Sequence, residues 1–262
     1  MLDQITPLIL TLDEAPNISR TLDRLGWAKD IVVVDSFSRD ETPGIVGRYP
    51  NVRLFQRTFE QHAEQWNFGL TQTGISTEWV LALDADYVMS DEGVREIGSL
   101  APDAGISGYA ASFTYCIDGR PLRNTVYPPV TILYRRRHAH YEQDGHTQRV
   151  RIGGGSVSAL AHKIAHDDRK PLSRWLRSQD RYMRLEAKKL ASARFADLSI
   201  QDRVRRLVVV APAAMLFYCL FARGNILDGR AGLAYALQRT AAEAILSAHL
   251  ARSLLGHHRS TT

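Results

Sequence analysis

The chain has 262 residues, of which 45% are hydrophobic and 23% are charged, with 10 Pro and 18 Gly. This composition excludes a disordered, collagen-like or disulfide-stapled protein, and the length allows one large domain with an appendage. The formal net charge is +5, but residues 1–131 carry a net charge of −8 and residues 132–262 a net charge of +13. The acidic first half therefore suits a site for a divalent cation, and the basic second half suits an anionic partner.

The first part of the chain alternates between short apolar runs and helical patterns. The apolar runs predict strands at Pro7–Leu12, Ile31–Asp35, Val52–Phe55 and Trp79–Leu83. The segments between them predict helices at Asn17–Leu25, Ile45–Tyr49 and Gln61–Thr71, the first with Asn17 as a candidate N-cap. Near-continuous β-branched strands that alternate with helices indicate an α/β fold with a mainly parallel sheet and helices on both faces.

The pattern changes twice in the rest of the chain. Strands and turns between residues 108 and 163, starting with a strand at 109–115, predict antiparallel strands beside the sheet. Helical periodicity follows at Leu172–Arg194 and Gly232–Leu255, and the uncharged segment Leu207–Ala222 lies between them. We therefore expect an α/β domain over residues 1–168 and a basic helical extension over residues 169–262.

Two acidic strand ends are candidates for a ligand site. Asp84 and Asp86 follow the strand that ends at Leu83, and Asp35 closes the strand Ile31–Asp35. Ligands of open parallel sheets bind beyond the carboxyl ends of strands, and paired carboxylates there suit Mg²⁺ that also binds substrate phosphates. No Gly-x-Gly-x-x-Gly motif and no phosphate-loop lysine motif follows these strands, which disfavours dinucleotide enzymes and P-loop NTPases.

Four motifs carry a family resemblance over about residues 5–100. They are Thr11–Glu14 with Asn17, Val34–Ser36, Asn67–Leu70 and Leu83–Asp86. Together they resemble the successive signatures of family 2 glycosyltransferases, which have the GT-A fold. Within that family the chain is similar to lipopolysaccharide core glucosyltransferases, whose catalytic domain is also followed by a basic helical tail.

The resemblance implies an inverting transfer of a sugar, from a nucleotide-sugar for which we expect a UDP-hexose, to a lipopolysaccharide-core or other lipid-linked glycan. The expected cofactor is Mg²⁺ or Mn²⁺, and no nucleic-acid partner is expected. Carried over by position, the nucleotide-binding residues are Thr11, Leu12, Glu14, Asp35, Asn67 and Asp84. The implied metal ligands are Asp84, Asp86 and His166.

The catalytic base stays open between two carboxylates. An inverting transfer needs a carboxylate within hydrogen-bond reach of the acceptor hydroxyl. The segment 140–148 occupies the place of the acceptor loop in the relatives, but Thr147 stands after His146 where they often have Glu. We expect Asp144 to be the base, with Glu142 as the alternative and His146 as an assisting group.

The C-terminal part predicts membrane attachment. Four arginines lie on one helical face, Arg174, Arg177, Arg181 and Arg184. A basic amphipathic helix followed by the apolar segment 207–222 is typical of attachment to an anionic surface. We expect a peripheral or monotopic protein at the cytoplasmic face of the inner membrane.

Two rival functions remain at this point. A catalytically impaired membrane scaffold of the same fold would explain Thr147. A metal-dependent nucleotidyltransferase would also use an Asp pair, but it usually needs a basic loop after its first strand, and residues 11–17 contain no basic side chain.

Overall fold

The computed structural model describes residues 1–144 and 147–259, and the side chains of residues 1–144 and 148–253. The chain forms two compact units, one of Met1–Pro121 with Tyr127–Arg169 and one of Leu122–Val126 with the chain from Lys170 onward. The predicted role of residues 169–262 as a membrane-associating extension stays a prediction.

The strands are β1 (Ile5–Thr11), β2 (Ile31–Asp35), β3 (Val52–Gln56), β4 (Trp79–Asp84), β5 (Tyr87–Val88), β6 (Ile106–Ala111), β7 (Phe113–Ile117), β8 (Arg120–Pro121), β9 (Val130–Arg135), β10 (Ala139–Asp144), β11 (Thr147–Ile152), β12 (Ser156–Ala159) and β13 (Ile164–His166). The α-helices are α1 (Ile18–Leu22), α2 (Thr42–Val46), α3 (His62–Gln72), α4 (Asp91–Ser99), α5 (Leu172–Ser192), α6 (Ile200–Arg206), α7 (Val210–Phe217) and α8 (Gly229–Arg259). Single 3₁₀ turns occur at Leu2–Gln4, Asp23–Leu25, Arg136–His138, Phe195–Asp197 and Asn225–Asp228, and a π-helical turn at Tyr218–Ala222.

The first unit is built on a seven-stranded sheet in the order β12-β6-β9-β4-β1-β2-β3. Strands β1 to β4 pair in parallel, and β9 is antiparallel to both of its neighbours, β4 and β6. A four-stranded sheet, β5-β13-β7-β8, and the hairpin β10-β11 complete the unit. The predicted mixed, mainly parallel sheet is confirmed.

The alternation of side chains along the strands produces a core on each face of the sheet. On one face Ile31 and Val33 pack with Ile18 of α1 and Ile97 of α4. On the other face Val32 and Val34 of the same strand pack with the apolar side of α3. Because both faces are covered, β2 is buried along its whole length, and this explains why its sequence is a continuous apolar run.

Three elements differ from the sequence prediction. The predicted strand 109–115 is interrupted at Ser112, and its halves β6 and β7 belong to different sheets. The segment 140–148, interpreted as an acceptor loop, lies largely in the hairpin β10-β11. Helix α4, which was not predicted, begins with Ser90 as its N-cap, whose side chain accepts a hydrogen bond from the Gly93 N–H.

The second unit is helical, as its sequence predicts. Helix α5 contributes Met183, Ala187 and Leu190 to a core that contains Leu246 and Leu250 of α8. An ion pair joins the half-buried Arg205 of α6 to the buried Glu243 of α8 at 2.8 Å. Within the apolar segment 207–222, residues 210–222 form α7 and the π-helical turn. Val208, two residues before α7, has a φ of 57°, which is rare for a β-branched residue.

Candidate active site

Three of the predicted nucleotide-site residues end adjacent strands of the parallel sheet. The Cα partner of Thr11 is Asp35, and the Cα partner of Leu10 is Asp84. Parallel strands end at a common edge, so Thr11, Asp35 and Asp84 lie side by side at the carboxyl edge of β1, β2 and β4. This is the edge at which ligands of open α/β sheets bind.

The carboxylate of Asp35 organises the loop that follows β2. It accepts hydrogen bonds from Thr11 Oγ1 at 2.8 Å, the Ser38 N–H at 2.9 Å, Ser38 Oγ at 2.5 Å and Gln56 Nε2 at 3.3 Å. The Asp35 side chain is fully buried. These bonds satisfy the buried carboxylate and fix the position of residues 36–38; the predicted nucleotide contact of Asp35 stays a prediction.

Two non-glycine residues at this edge have a left-handed backbone. They are Asp13 with φ 52° and Phe37 with φ 57°. The Asp13 N–H donates to Ser38 Oγ at 2.6 Å and the Arg39 N–H donates to Asp13 Oδ1 at 2.6 Å, so hydrogen bonds between the two loops hold both strained residues. The sequence prediction missed Phe37 and Ser38, although a serine three residues after Asp35 is a spacing typical of a side chain bonded to a local turn.

Glu14, another predicted nucleotide residue, is held at the same edge by its neighbours. Its N–H donates to Thr42 Oγ1 at 2.7 Å, and its carboxylate accepts from Asn17 Nδ2 at 2.8 Å. Leu12, between Thr11 and Glu14 in the chain, is half-buried. Asn17 occupies the predicted N-cap position of α1, but its side chain makes no capping hydrogen bond and donates to Asp168 at 2.9 Å.

Asp86, two residues beyond the end of β4, contacts a histidine near the C-terminal end of the first unit. Asp86 Oδ2 lies 3.2 Å from His166 Nε2. The contact depends on β13, which pairs with β5 so that His166 is aligned with Tyr87, and on the Asp167 N–H, which donates to the Asp86 carbonyl at 3.1 Å. The structure therefore brings Asp86 and His166 together, although 79 residues separate them in the chain.

Aromatic rings enclose His166. Those of Tyr87, Tyr115 and Tyr127 have centroids 5.2, 4.7 and 4.9 Å from the imidazole. Burial lowers the pKa of His166, but the negative charges of Asp86 and Asp84 outweigh it, so the pKa is raised above its ordinary value. The buried His166 Nδ1 has no hydrogen-bond partner among the described residues.

The chemistry of these side chains fits a divalent cation that substrate oxygens help to bind. Carboxylate and imidazole are both ligands of divalent metals. Asp86 and His166 are in contact with each other, and Asp84 is close enough for its charge to raise the pKa of the histidine. Within the described part of the chain, no group of three or more His, Cys, Asp and Glu side chains forms a complete metal cage. A magnesium-type site needs no such cage, because it takes one or two carboxylates and completes its coordination with water and phosphate oxygens.

A charged network around the buried Asp167 fixes the segment after His166. The Asp167 carboxylate accepts hydrogen bonds from Arg20 at 2.8 Å, Arg169 at 2.9 Å and the Gly119 N–H at 3.1 Å. Burial raises the pKa of Asp167, but these partners outweigh it and the pKa is lowered. The sequence prediction missed this network because its members are distant in the chain.

Asn67 lies on α3 and binds the hairpin. Its Nδ2 donates to the Tyr141 carbonyl at 2.9 Å and its Oδ1 accepts from the Tyr141 N–H at 2.8 Å. Its predicted contact with the nucleotide stays a prediction, whereas the structure shows that its amide anchors β10 to α3. Burial is the main cause of the strongly raised pKa of Tyr141, its hydrogen-bonded neighbour Tyr134 is the second, and the charge of Asp84 adds a smaller part.

Both candidate bases are carboxylates on β10 that pair with arginines of β11. Asp144 Oδ2 lies 2.5 Å from Arg149 Nε, and Glu142 Oε2 lies 2.7 Å from Arg151 Nε. Hydrogen bonds from Arg151 and His140 lower the pKa of Glu142, which keeps it ionised. His146, the third predicted catalytic residue, lies outside the described residues.

Comparison with known proteins gives one family match and several matches to solved structures. The sequence model of the family described as Glycosyl transferase family 2 matches residues 8–164. The structure of TarS residues 1–349 from S. aureus has a TM-score of 0.51 and 16% identity, over 97% of this chain and 92% of that one. The same TarS fragment in complex with UDP-GlcNAc has a TM-score of 0.50, also with 16% identity and with 97% and 92% coverage.

A second protein is similar over a smaller share of the chain. Glucosyl-3-phosphoglycerate synthase from Mycobacterium tuberculosis, in complex with phosphoglyceric acid, has a TM-score of 0.51 and 19% identity. The match covers 72% of this chain and 79% of that chain. At these identities the likeness shows a shared fold.

Proposed function

The chain belongs to glycosyl transferase family 2, and we propose that it is an inverting, metal-dependent enzyme that moves a hexose from a UDP-sugar to a lipid-linked glycan. The GT-A fold class expected from the sequence is confirmed by the mixed sheet and the similar structures. The family also assigns the chain to the glycosyltransferases rather than to the nucleotidyltransferases. The observation that carries the proposal is the contact between Asp86 and His166 beside Asp84, at the carboxyl edge of the sheet.

Support for a UDP-sugar comes from the similar TarS structure, which was determined in complex with UDP-GlcNAc. In this chain the ends of β1, β2 and β4 form the edge at which a nucleotide binds in such sheets. We assign six residues to the nucleotide and the donor sugar: Thr11, Leu12, Glu14, Asp35, Asn67 and Asp84.

The cation is assigned to Asp86 and His166, with Asp84 nearby. When bound, Mg²⁺ or Mn²⁺ would offset the negative charge of the diphosphate as the UDP leaves. Asp86 is buried, so its charge interacts more strongly with a cation than that of an exposed carboxylate would.

The transfer itself forms one bond and breaks one. The acceptor hydroxyl oxygen bonds to the anomeric carbon on the face opposite the diphosphate, the bond from that carbon to the phosphate oxygen breaks, and UDP departs with the electron pair. The hydroxyl proton passes to a carboxylate, which we assign to Asp144, with Glu142 as the alternative. Both belong to β10, which Asn67 anchors to α3.

Titration of the protein with UDP, with and without Mn²⁺, tests the donor site. We expect Mn²⁺ to tighten UDP binding in the wild-type chain and Asp86→Asn to reduce that metal-dependent gain by about tenfold or more. The matched control is Asp91→Asn, which changes an exposed aspartate paired with Arg24. Asp86→Asn that binds UDP and Mn²⁺ as tightly as the wild type would overturn the assignment.

The second unit supports a membrane-bound acceptor. Its exposed large apolar side chains include Leu207, Val209, Val210, Phe217, Phe221, Ile226 and Leu227, a concentration that soluble monomers rarely show. Among the described residues no helix is by itself long and apolar enough to cross a bilayer, but the bent pair Val210–Ala222 and Asn225–Ser253, at 70°, meets that requirement jointly. We propose that this unit lies on the cytoplasmic face of the inner membrane, and that the acceptor is a lipopolysaccharide core or another lipid-linked glycan.

A further inference from the structure

A cavity lies at the end of the sheet opposite the candidate active site. It has a volume of about 470 Å³ and its wall includes Thr77, Glu78, Arg135, Arg136, Arg137 and His138. Arg135 is the Cα partner of Trp79, so the cavity lies where β4 begins and β9 ends. It is separated from Asp84 by the length of β4, roughly 17 Å, and is therefore distinct from the donor site. Its volume is within the usual range for small-molecule sites.

The first of its three arginines is fully engaged by the protein. Arg135 forms an ion pair with Glu78, donates to the Ile106 carbonyl at 2.9 Å and to the Asp103 carbonyl at 3.1 Å, and stacks on Trp79. Its charge is offset within the wall, so Arg135 shapes the cavity rather than attracting a ligand.

The other two arginines of the cavity wall, Arg136 and Arg137, are not paired with a carboxylate among the described residues. The side chain of Arg136 makes one long hydrogen bond, to the Leu70 carbonyl at 3.4 Å, and its buried Nε has no partner among the described residues. Arg137 is exposed. Within the described residues neither guanidinium forms an ion pair with a carboxylate, so about two positive charges in the cavity are not offset.

Neighbouring polar groups add donors to the same wall. The Ser76 side chain is exposed at the rim. His138 Nδ1 forms a hydrogen bond with Ser107 Oγ at 2.9 Å, so the other ring nitrogen, Nε2, is available to a ligand. Adjacent guanidinium groups with hydroxyl and imidazole groups match the oxygens of a phosphate, because the planar guanidinium binds two of them at once.

We propose that this cavity binds a sugar phosphate, at a site separate from the donor site. The phosphate group would lie on Arg136 and Arg137, and the remaining volume, which is larger than a phosphate requires, would hold the sugar ring. The same phosphate chemistry could come from a phosphorylated glycan, a glycerophosphate head group or free inorganic phosphate, and the probes below separate these sources.

Isothermal titration of the full chain at low salt tests the site, with glucose 6-phosphate, glycerol 3-phosphate, inorganic phosphate and glucose as probes. We expect glucose 6-phosphate to bind most tightly, more weakly as salt increases, and glucose not to bind. No binding of glucose 6-phosphate would overturn the proposal. Inorganic phosphate or glycerol 3-phosphate that binds equally well would overturn the assignment of a sugar phosphate.

Variants locate the binding in the cavity. Arg136→Gln and Arg137→Gln should each weaken glucose 6-phosphate binding by about tenfold or more. Arg137 is exposed, so Arg137→Gln keeps the test valid if Arg136→Gln fails to fold. The control is Arg95→Gln, an exposed arginine of the same unit bonded to Glu92, which should bind as the wild type does.

The donor site supplies an independent readout. Arg137→Gln should bind UDP with Mn²⁺ as tightly as the wild-type chain, since the cavity lies at the other end of β4. Unchanged glucose 6-phosphate binding in Arg137→Gln would overturn the proposal whatever the donor titration shows. A failed donor titration with an Arg137-dependent phosphate site would overturn the proposed function and leave this site standing.

Discussion

The buried carboxylate of Asp35 holds together the chain at the carboxyl edge of the parallel sheet. Its oxygens accept from Thr11, Ser38 and Gln56, and it has no exposed surface. Asp35→Ala leaves several buried donors without an acceptor, and we expect the free energy of unfolding to fall by about 2 kcal/mol. Asp35→Asn keeps one acceptor oxygen and should lose less. Chemical denaturation measures both, and an alanine variant within about 0.5 kcal/mol of the wild type would contradict this role.

Glu96 of α4 gives the first unit a dependence on pH. Its carboxylate accepts from the Ala161 N–H at 2.6 Å and the His162 N–H at 2.9 Å. Burial raises the pKa of Glu96, but these bonds and the His162 ring outweigh it and lower the pKa below its ordinary value of 4.5. A lowered carboxyl pKa means that the folded state favours the ionised form, so this contribution is complete above pH 4.5 and is lost as the pH falls through the lowered value.

Glu96→Gln tests that dependence. We expect the variant to be less stable than the wild type by about 1 kcal/mol at pH 7 and the difference to shrink toward zero as the pH falls through the lowered pKa of Glu96. Denaturation midpoints across this range measure it, with Glu60→Gln, a change at an exposed residue of the same unit, as the control that should change little. A difference that grows toward low pH would contradict the account.

At the scale of elements, the hairpin β10-β11 carries both candidate bases. If Asp144 accepts the proton of the acceptor hydroxyl, Asp144→Asn should leave UDP binding unchanged and lower kcat by about 10²- to 10⁴-fold. Glu142→Gln should have a much smaller effect. The measurement is the transfer rate with a saturating donor. A near-normal rate for Asp144→Asn, with a large loss for Glu142→Gln, would move the role to Glu142.

The packing of α3 on β1 depends on a glycine. A Cβ at Gly69 would lie 2.7 Å from Leu8 Cδ1 and 2.8 Å from Leu8 Cδ2, and Leu8 is fully buried, so it has little room to move. We expect Gly69→Ala to lower the Tm, because overpacking costs about 1–3 kcal/mol and exceeds the gain of about 1 kcal/mol in helix propensity. Gly26→Ala, where a Cβ meets open space, is the control and should be neutral or stabilising. Equal or higher Tm for Gly69→Ala would contradict this packing.

Elements whose burial is complete could be predicted from the sequence, and those that depend on distant partners could not. Strand β2 was predicted at its observed bounds because both of its faces are apolar. The break at Ser112 is marked by a single serine without a glycine or proline beside it. In the hairpin only one side, which includes Tyr141 and Val150, packs on the core, and its apolar residues are too few to stand out from the polar ones, so neither pattern indicated the structure. Within the site, the strand ends Asp35 and Asp84 follow from the apolar runs before them. His166 came only from the family resemblance, because its contact with Asp86 requires the pairing of β13 with β5.

For the molecule as a whole, the positive charge is concentrated in the second half of the chain, and most of the exposed large apolar side chains lie in the second unit. Phe217 and Phe221 are exposed and stack on each other with centroids 5.8 Å apart. If this surface enters an anionic membrane, each ring contributes about 1.5–3 kcal/mol, so the double variant Phe217→Ser with Phe221→Ser should reduce vesicle binding by about tenfold or more.

Sedimentation with anionic vesicles at low salt measures that loss. Val157→Ser, which removes an exposed apolar side chain from the first unit, is the control and should bind as the wild type does. Failure of the wild-type chain to bind, or equal binding of the double variant, would contradict membrane attachment through this surface.

The most direct test of the central claim is the release of UDP from UDP-hexoses and UDP-GlcNAc by the purified chain, with Mn²⁺ and with a chelator. The account predicts slow UDP release from at least one donor that requires the metal and is nearly abolished by Asp86→Asn. Absence of release from every donor, together with no metal-dependent binding of UDP, would contradict it and favour a membrane scaffold that has kept the fold without the activity.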